Sequence, residues 1–318
     1  MRVVDMHCDT IAALYQDHRA GGTVSVLENN LMLDLKKMQA GDYGLQNFAL
    51  FTNLASIDEP PFEYCMKLLD TFYTELEAHR DLIGIVRSYA DIEENLRQGK
   101  MSALLAIEEG GVCQGELSFL RNFYRLGVRM MTLTWNHPNE LAFPNGRKAL
   151  EGGHYQAVPD TEHGLTEVGI AFVEEMERLG MIIDVAHLND AGIRDVFLHT
   201  KKPFVASHSN ARAVCSHPRN LTDEMIRALS ERGGVMGINY YGGFLRDVPA
   251  GGEDVSRVAD MVAHMKHIRN VGGIQVIGLG SDFDGMGGDL DATNIIKNTV
   301  LAVLVPISMD HQAFLGNT

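Results

Sequence analysis

Short apolar runs separated by helix-length amphipathic stretches recur along the chain, and most of the runs end on a polar residue. Residues 182–187 (IIDVAH) and 203–208 (PFVASH) set the pattern: each closes on a histidine, His187 and His208, 21 positions apart. Consecutive parallel strands of a β/α repeat have this form, because each strand delivers its last side chain to the same rim. Equivalent strands are predicted at 2–9, 47–52, 103–107, 129–135, 235–240 and 276–280. Helical periodicity lies between them: within 11–41 (Leu31, Leu35, Met38), around Met66, Leu69, Phe72 and Leu76, and at 91–98, 117–125 and 190–199. Further helices run from a Thr166 cap to Gly180, from a Thr222 cap onward, and over 255–270 with Val258, Met261, Val262, Met265 and Ile268 inward. Residues 139–165 show little periodicity and read as a long polar loop, either a lid or an unordered segment.

Eight strands separated mostly by helices predict an α/β chain built as a (β/α)8 TIM barrel, with a doubly wound sheet as the architectural alternative. Polar, metal-competent residues end the first, third, fifth, sixth and eighth strands: His7 and Asp9, Glu108, His187, His208 and Asp282. Only a closed barrel brings those five ends into one ring. A single barrel domain over 1–318 is therefore expected, with 289–318 as a short, atypical C-terminal tail whose runs at 294–296 and 300–305 are apolar.

Composition narrows the class. The 318 residues are 45% hydrophobic and 22% charged, enough for a large core, and the formal net charge of −15 argues against a nucleic-acid partner. Cys8, Cys65, Cys113 and Cys215 lack CxxC spacing, so they read as reduced thiols and not as a disulfide framework or thiolate zinc knot. No run reaches the roughly 20 apolar residues of a membrane span, and the first strand begins too early for a signal peptide. A cytoplasmic protein without a membrane partner is expected. No phosphate loop, GxGxxG after the first strand, or GxSxG elbow supports a nucleotide or serine-hydrolase reading.

The strand-end residues carry the chemistry. His7 and Asp9, two apart on a strand, point the same way while Cys8 packs behind them. Glu108, Glu109, Gly110 and Gly111 put a carboxylate at a strand end followed by a turn that leaves it free to bridge two cations; by itself the pair also reads as solvated loop acids. Imidazole and carboxylate without thiolate suit zinc, manganese, iron or cobalt, in number enough for two ions about 3.5 Å apart. Any one of these histidines alone is more simply a satisfied core residue. Five such strand ends together are not.

These residues, with DMHCDT at 5–10, IEEG at 107–110, LGVR at 126–129, TLT at 132–134, DVAH at 184–187, SHS at 207–209, Arg219–Asn220 and GSDFDG at 280–285, resemble the membrane (renal) dipeptidase family of the amidohydrolase superfamily, most of all its soluble bacterial members. The resemblance covers about 1–288. It implies a zinc dipeptidase cleaving L-Xaa-L/D-Xaa dipeptides, with His7 and Asp9 on one zinc, His187 and His208 on the second, and Glu108 and a hydroxide bridging them. Spacing to LGVR puts Glu108 on the bridging position, with Glu109 one residue away. The resemblance further implies Asp282 as the acid/base group, Arg219 on the substrate carboxylate, Asp284 as structural, and a possible homodimer.

The chain departs from the family at Trp135, where many members carry a substrate-contacting histidine directly after TLT; His137 follows two residues later. Either His137 takes over the contact or that support is weakened, which predicts an altered substrate range. The tail also lacks the family's charged helices. Rival readings are another metal hydrolase, a lactonase or deaminase, and a catalytically weakened metal-binding barrel.

Overall fold

The computed structural model describes residues 2–149, 155–247 and 255–286; the tail at 289–318 lies outside them. Along the chain run β1 (Val3–Asp5), α1 (Thr10–Arg19), α2 (Leu35–Ala40), β2 (Tyr43–Phe51), α3 (Pro61–Glu77), β3 (Ile83–Val86), α4 (Tyr89–Arg97) and β4 (Met101–Glu108). Then come α5 (Leu117–Arg125), β5 (Met130–Thr132), β6 (Gly146–Ala149), β7 (Tyr155–Val158), α6 (Glu167–Leu179), β8 (Ile182–Asp184) and α7 (Asp190–His199). The series ends with β9 (Val205–Ala206), α8 (Asp223–Glu231), β10 (Val235–Ile238), α9 (Gly242–Leu245), α10 (Val258–Gly272) and β11 (Ile277–Leu279).

Parallel strands hydrogen-bond in the order β2-β1-β11-β10-β9-β8-β5-β4, and β4 pairs back onto β2 from Leu45↔Ser102 to Phe51↔Glu108. The ring is closed, has eight strands and is a (β/α)8 TIM barrel, as the strand count predicts. Because every strand runs the same way, all eight carboxyl ends meet at one rim. No helix among the described residues is long and apolar enough to cross a membrane.

Alternation divides the core in two. Leu45, Leu104, Ala106, Met130, Ile182 and Val205 of the ring strands, with Val86 of β3, form a small cluster against which Val4 and Met6 pack. The intervening residues, among them Leu105, Ile107, Met131 and Ile183, join the large cluster shared with the helices. Side chains two apart share a face, so Leu104, Ala106 and Glu108 all point into the barrel and Glu108 arrives at its rim. Helices start where side chains cap them: Thr166, Asn189 and Thr222 accept from the N–H groups of Gly169, Gly192 and Met225.

Several details differ from the sequence reading. β3 adds an unanticipated strand that pairs with the first half of β4 outside the ring. The stretch expected as a polar loop contains the antiparallel hairpin β6–β7, whose exposed first strand has no apolar alternation to signal it. Leu31 precedes α2 and lies in no helix. In α10 Met261 and Ile268 are buried as expected, but Val258 is exposed and His264 is buried with them: its ring spans the Ala211 N–H at 3.0 Å and the Leu245 carbonyl at 2.8 Å.

Candidate metal centre and active site

The rim gathers the residues named from strand ends. Glu108 stands in the middle of them. Its Oε2 lies 3.2 Å from His7 Nε2, while its Oε1 lies 3.1 Å from His187 Nε2 and 3.7 Å from His208 Nε2. Around the same His7 nitrogen stand Asp9 Oδ2 at 3.4 Å and Asp282 Oδ1 at 3.7 Å. Ligand atoms of His7, Glu108 and His208 fall within 4.8 Å of one another, as do those of His7, Asp9 and Asp282. One carboxylate thus faces two separate sets of nitrogen and oxygen donors, one through each oxygen.

The backbone bends to allow this. His187 and Asp282 have φ of 67° and 64°, values few residues other than glycine adopt, and Glu109 has 97°. A Cβ on Gly285 would stand 2.1 Å from Asp9 Oδ2 and 2.4 Å from Asp282 Oδ1, so the closeness of the two carboxylates requires glycine there.

Neighbouring groups decide which nitrogens carry protons. Asp184 accepts from the Ala186 and Ser207 N–H groups, from Thr132 Oγ1 and from Ser207 Oγ, joining β5, β8 and the segment after β9. Ser207 spends its single proton on Asp184, so toward His208 Nδ1, 2.7 Å away, it accepts. His208 therefore carries its proton on Nδ1 and turns the Nε2 lone pair toward Glu108. His187 is arranged alike, Nδ1 meeting Asn136 Oδ1 at 3.2 Å. Asn239 Nδ2 donates to Asp282 Oδ2 at 2.9 Å. Asp284 accepts from Thr10 Oγ1 and the Met32 N–H.

Burial, helped by the charge of Arg219 at His187 and of His7 at His208, pushes both of these histidines well below the usual imidazole range, so they are neutral. At His7 burial also opposes protonation, but the Glu108 and Asp9 carboxylates outweigh it and raise the pKa well above the ordinary value. Burial raises Asp282; Asp9 and Glu108 add to the rise, which His7 and Asn239 resist. Lone pairs of two neutral imidazoles face one oxygen of Glu108, and three carboxylates crowd round His7, an arrangement that only positive charge among them, a proton on His7 or metal ions, relieves. Consistently, both ring nitrogens of His7, Asp9 Oδ1 and His208 Nε2 are buried without a hydrogen bond. The donor set fits divalent metal ions.

Above the rim a cavity of about 240 Å³ is lined by Asp9, Phe51, Glu108, Trp135, Tyr241, Phe244 and Asp282, among others. Trp135, expected near substrate, is part of that wall. His137 is not among the lining residues; its ring lies tilted beside Trp135 at 5.8 Å between centroids, and its carbonyl accepts from Thr134 Oγ1. Arg219 is buried beside Phe244, its guanidinium carbon 5.3 Å from the ring centroid, with Nε and Nη2 unpartnered. The sequence reading missed Asn136, Asn239, Tyr241 and Phe244, since asparagines and aromatics at strand ends have no spacing of their own to mark them. Ser207 and Asp184 were visible only as neighbours of histidines.

Glu109 is the other of the two adjacent acids. It is fully buried and accepts from the Gly111 and Trp135 N–H groups and from Asn139 Nδ2. The division of labour comes from the strand's end: β4 stops at Glu108, and at Glu109 the backbone turns into the left-handed region.

A family model described as membrane dipeptidase, peptidase family M19, matches residues 1–300. A Klebsiella pneumoniae protein described as an uncharacterized protein in the pqqA 5′ region is 40% identical over 226 residues, 69% of this chain and 80% of that one. Dipeptidase aclJ of Aspergillus oryzae is 34% identical over 264 residues; these are 80% of this chain and 59% of the fungal one, so the chain spans about three fifths of that relative. Among solved structures, a metallo peptidase from Rhodobacter sphaeroides liganded with a phosphinate mimic of the dipeptide L-Ala-D-Ala is similar at a TM-score of 0.79 and 27% identity, covering 93% of this chain and 90% of that one. Family model, relative and barrel agree with the constellation at the rim: the chain belongs to the membrane dipeptidase family of metallopeptidases, peptidase family M19.

Proposed function

We propose that this protein hydrolyses dipeptides with two divalent ions, read as zinc, held by His7 and Asp9 on one side, His187 and His208 on the other, and Glu108 between them. The observation that carries this reading is the division of Glu108, with Oε2 toward His7 and Oε1 toward His187 and His208. When bound, such ions acidify a shared water and withdraw charge from a carbonyl oxygen. The A. oryzae relative is named a dipeptidase, and the R. sphaeroides structure holds a mimic of L-Ala-D-Ala. Both support the substrate class.

The chain's own residues do the rest. Arg219 keeps two guanidinium donors unspent in a buried setting, and a carboxylate matches them in charge and shape, so it binds the substrate's free carboxyl end. Asp282, raised by burial, takes the proton that the attacking water gives up and returns it to the departing nitrogen as the C–N bond breaks. Asn239 fixes that carboxylate through Oδ2 and leaves Oδ1 toward the rim. Ser207 and Asn136 hold the two neutral histidines in the tautomer that presents Nε2.

Metal analysis of protein purified without chelator, paired with assays on L-Xaa-L-Ala and L-Xaa-D-Ala, tests the reading. Two ions per chain and dipeptide turnover are expected; turnover of lactones or purines in place of dipeptides would replace it. Asp282→Asn is expected to lower kcat about 10²- to 10⁴-fold with metal content retained. Unchanged kcat removes Asp282 from proton transfer.

A further inference from the structure

The cavity has one wall that the hydrolytic chemistry leaves unused. Phe51, the last residue of β2, and Trp135, three residues past β5, meet edge-to-face at 4.9 Å between ring centroids, and both line the cavity. The main chain at Trp135 is held in place: its backbone N–H donates to Glu109 Oε2 at 3.0 Å, while the Gly111 N–H and Asn139 Nδ2 donate to Oε1. All three neighbours are donors, so a carboxylate suits the position and an amide does not. Asn139 extends the clamp by accepting from the N–H groups of Leu141 and Ala142. Across the barrel, β9 lies four strands from β2 in either direction round the ring, and the loop after β9 carries Arg219. β5, which leads to Trp135, lies only two strands from β9, but the Trp135 ring packs on Phe51, so a dipeptide whose carboxylate rests on Arg219 extends its amino-terminal residue toward Phe51 and the Trp135 ring beside it.

We propose that the Phe51–Trp135 wall, positioned by Glu109, selects the substrate's amino-terminal side chain and takes dipeptides that begin with an apolar residue; this rests on the dipeptidase reading above. An apolar side chain exchanges water for aromatic surface there. An anionic one loses hydration without a counter-charge and meets the electron-rich faces of the rings. Asp9, Glu108 and Asp282, the acids that line the cavity, belong to the metal cluster.

The test titrates phosphinate analogues of Leu-Ala, Gly-Ala and Asp-Ala into the metal-loaded protein by calorimetry, with hydrolysis of Gly-Ala and Leu-Ala measured in parallel. Trp135 is the single tryptophan of the chain, so its emission reports directly on the wall. The leucine analogue is expected to bind at least about tenfold tighter than the other two and to shift the emission. In Trp135→Ala the advantage over the glycine analogue should shrink to less than about threefold, and Phe51→Leu, which thins the wall from the other side, should reduce it too. Glu109→Gln should shift the emission of the free protein. Equal affinities, a leucine advantage that survives Trp135→Ala, or tight binding that leaves the emission unmoved overturns the selector. If Gly-Ala is hydrolysed while the analogues bind equally, the selector alone fails; if neither dipeptide is turned over, the dipeptidase reading fails and takes the selector with it.

Discussion

Asp184 has no place in the proposed ligand set, yet it settles the protonation of one ligand. By taking the proton of Ser207 it obliges His208 to keep its own on Nδ1, which frees Nε2 for the rim. In Asp184→Asn, one of the two carboxylate oxygens becomes a donor facing other donors, and the orientation of His208 is no longer enforced. Metal affinity is expected to fall about 10- to 100-fold, read by competition against a chromophoric chelator. Unchanged affinity would mean that packing alone orients His208. Period-two alternation along β4 shows why Glu108 faces the barrel, whereas Glu109 lies past the end of the strand. What spacing does not announce is the positive φ at His187 and Asp282, because it is imposed by where the following segments must go.

At the scale of elements, the segment between β9 and α8 is the least regular part of the site and the most tied. Arg212 grips Asp190, the first residue of α7, with two hydrogen bonds of 2.7 Å, and reaches the carbonyls of Pro218 and Asn220 on either side of Arg219. Asn220 in turn donates to the carbonyl of Phe244. Arg219 is therefore placed by α7 and α9 as much as by its own loop. Asp190→Asn should loosen that placement and raise KM for dipeptides about tenfold, with kcat little changed, as expected for a contact made equally in ground and transition states. A fall in kcat at constant KM would assign the pair to the chemistry instead.

At the scale of the molecule, the site depends on the chain's described ends meeting. Asp5 pairs with Leu279, and the Asp282 N–H donates to the His7 carbonyl at 3.2 Å. The acidic cluster repels itself until cations bind, so ions that bind the folded form stabilise it, by about 4 kcal/mol at a thousandfold excess over Kd. Chelation is expected to lower Tm, and re-addition of zinc to restore it, as followed by circular dichroism. Away from the site, Glu175 on α6 pairs with Arg178 and with Arg121 of α5. Its hydrogen bond with Arg178, and secondarily Arg121, hold its pKa down to about 2 against the desolvation that opposes them. A depressed carboxylate contributes its full stabilisation above the unfolded value near 4.5 and loses it as pH falls toward 2. Glu175→Gln should therefore lower Tm at pH 7, and the gap to the parent should close over that acid window.

Eight barrel strands, most helices and the residues at the rim were legible in the sequence, because alternation, amphipathic spacing and capping are local properties that each segment carries with it. The family motifs pointed to the same strand ends. Tertiary structure decided the rest: that β4 closes onto β2, that β3 and the β6–β7 hairpin exist at all, that Trp135 and not His137 walls the cavity, and that Asn136, Asn239 and Asp184 orient the site. These are contacts between segments far apart in the chain, set by which surfaces meet when the ring closes, and no local period encodes them. A strand can declare which side chain it brings to the rim; only the closed barrel determines what that side chain finds there.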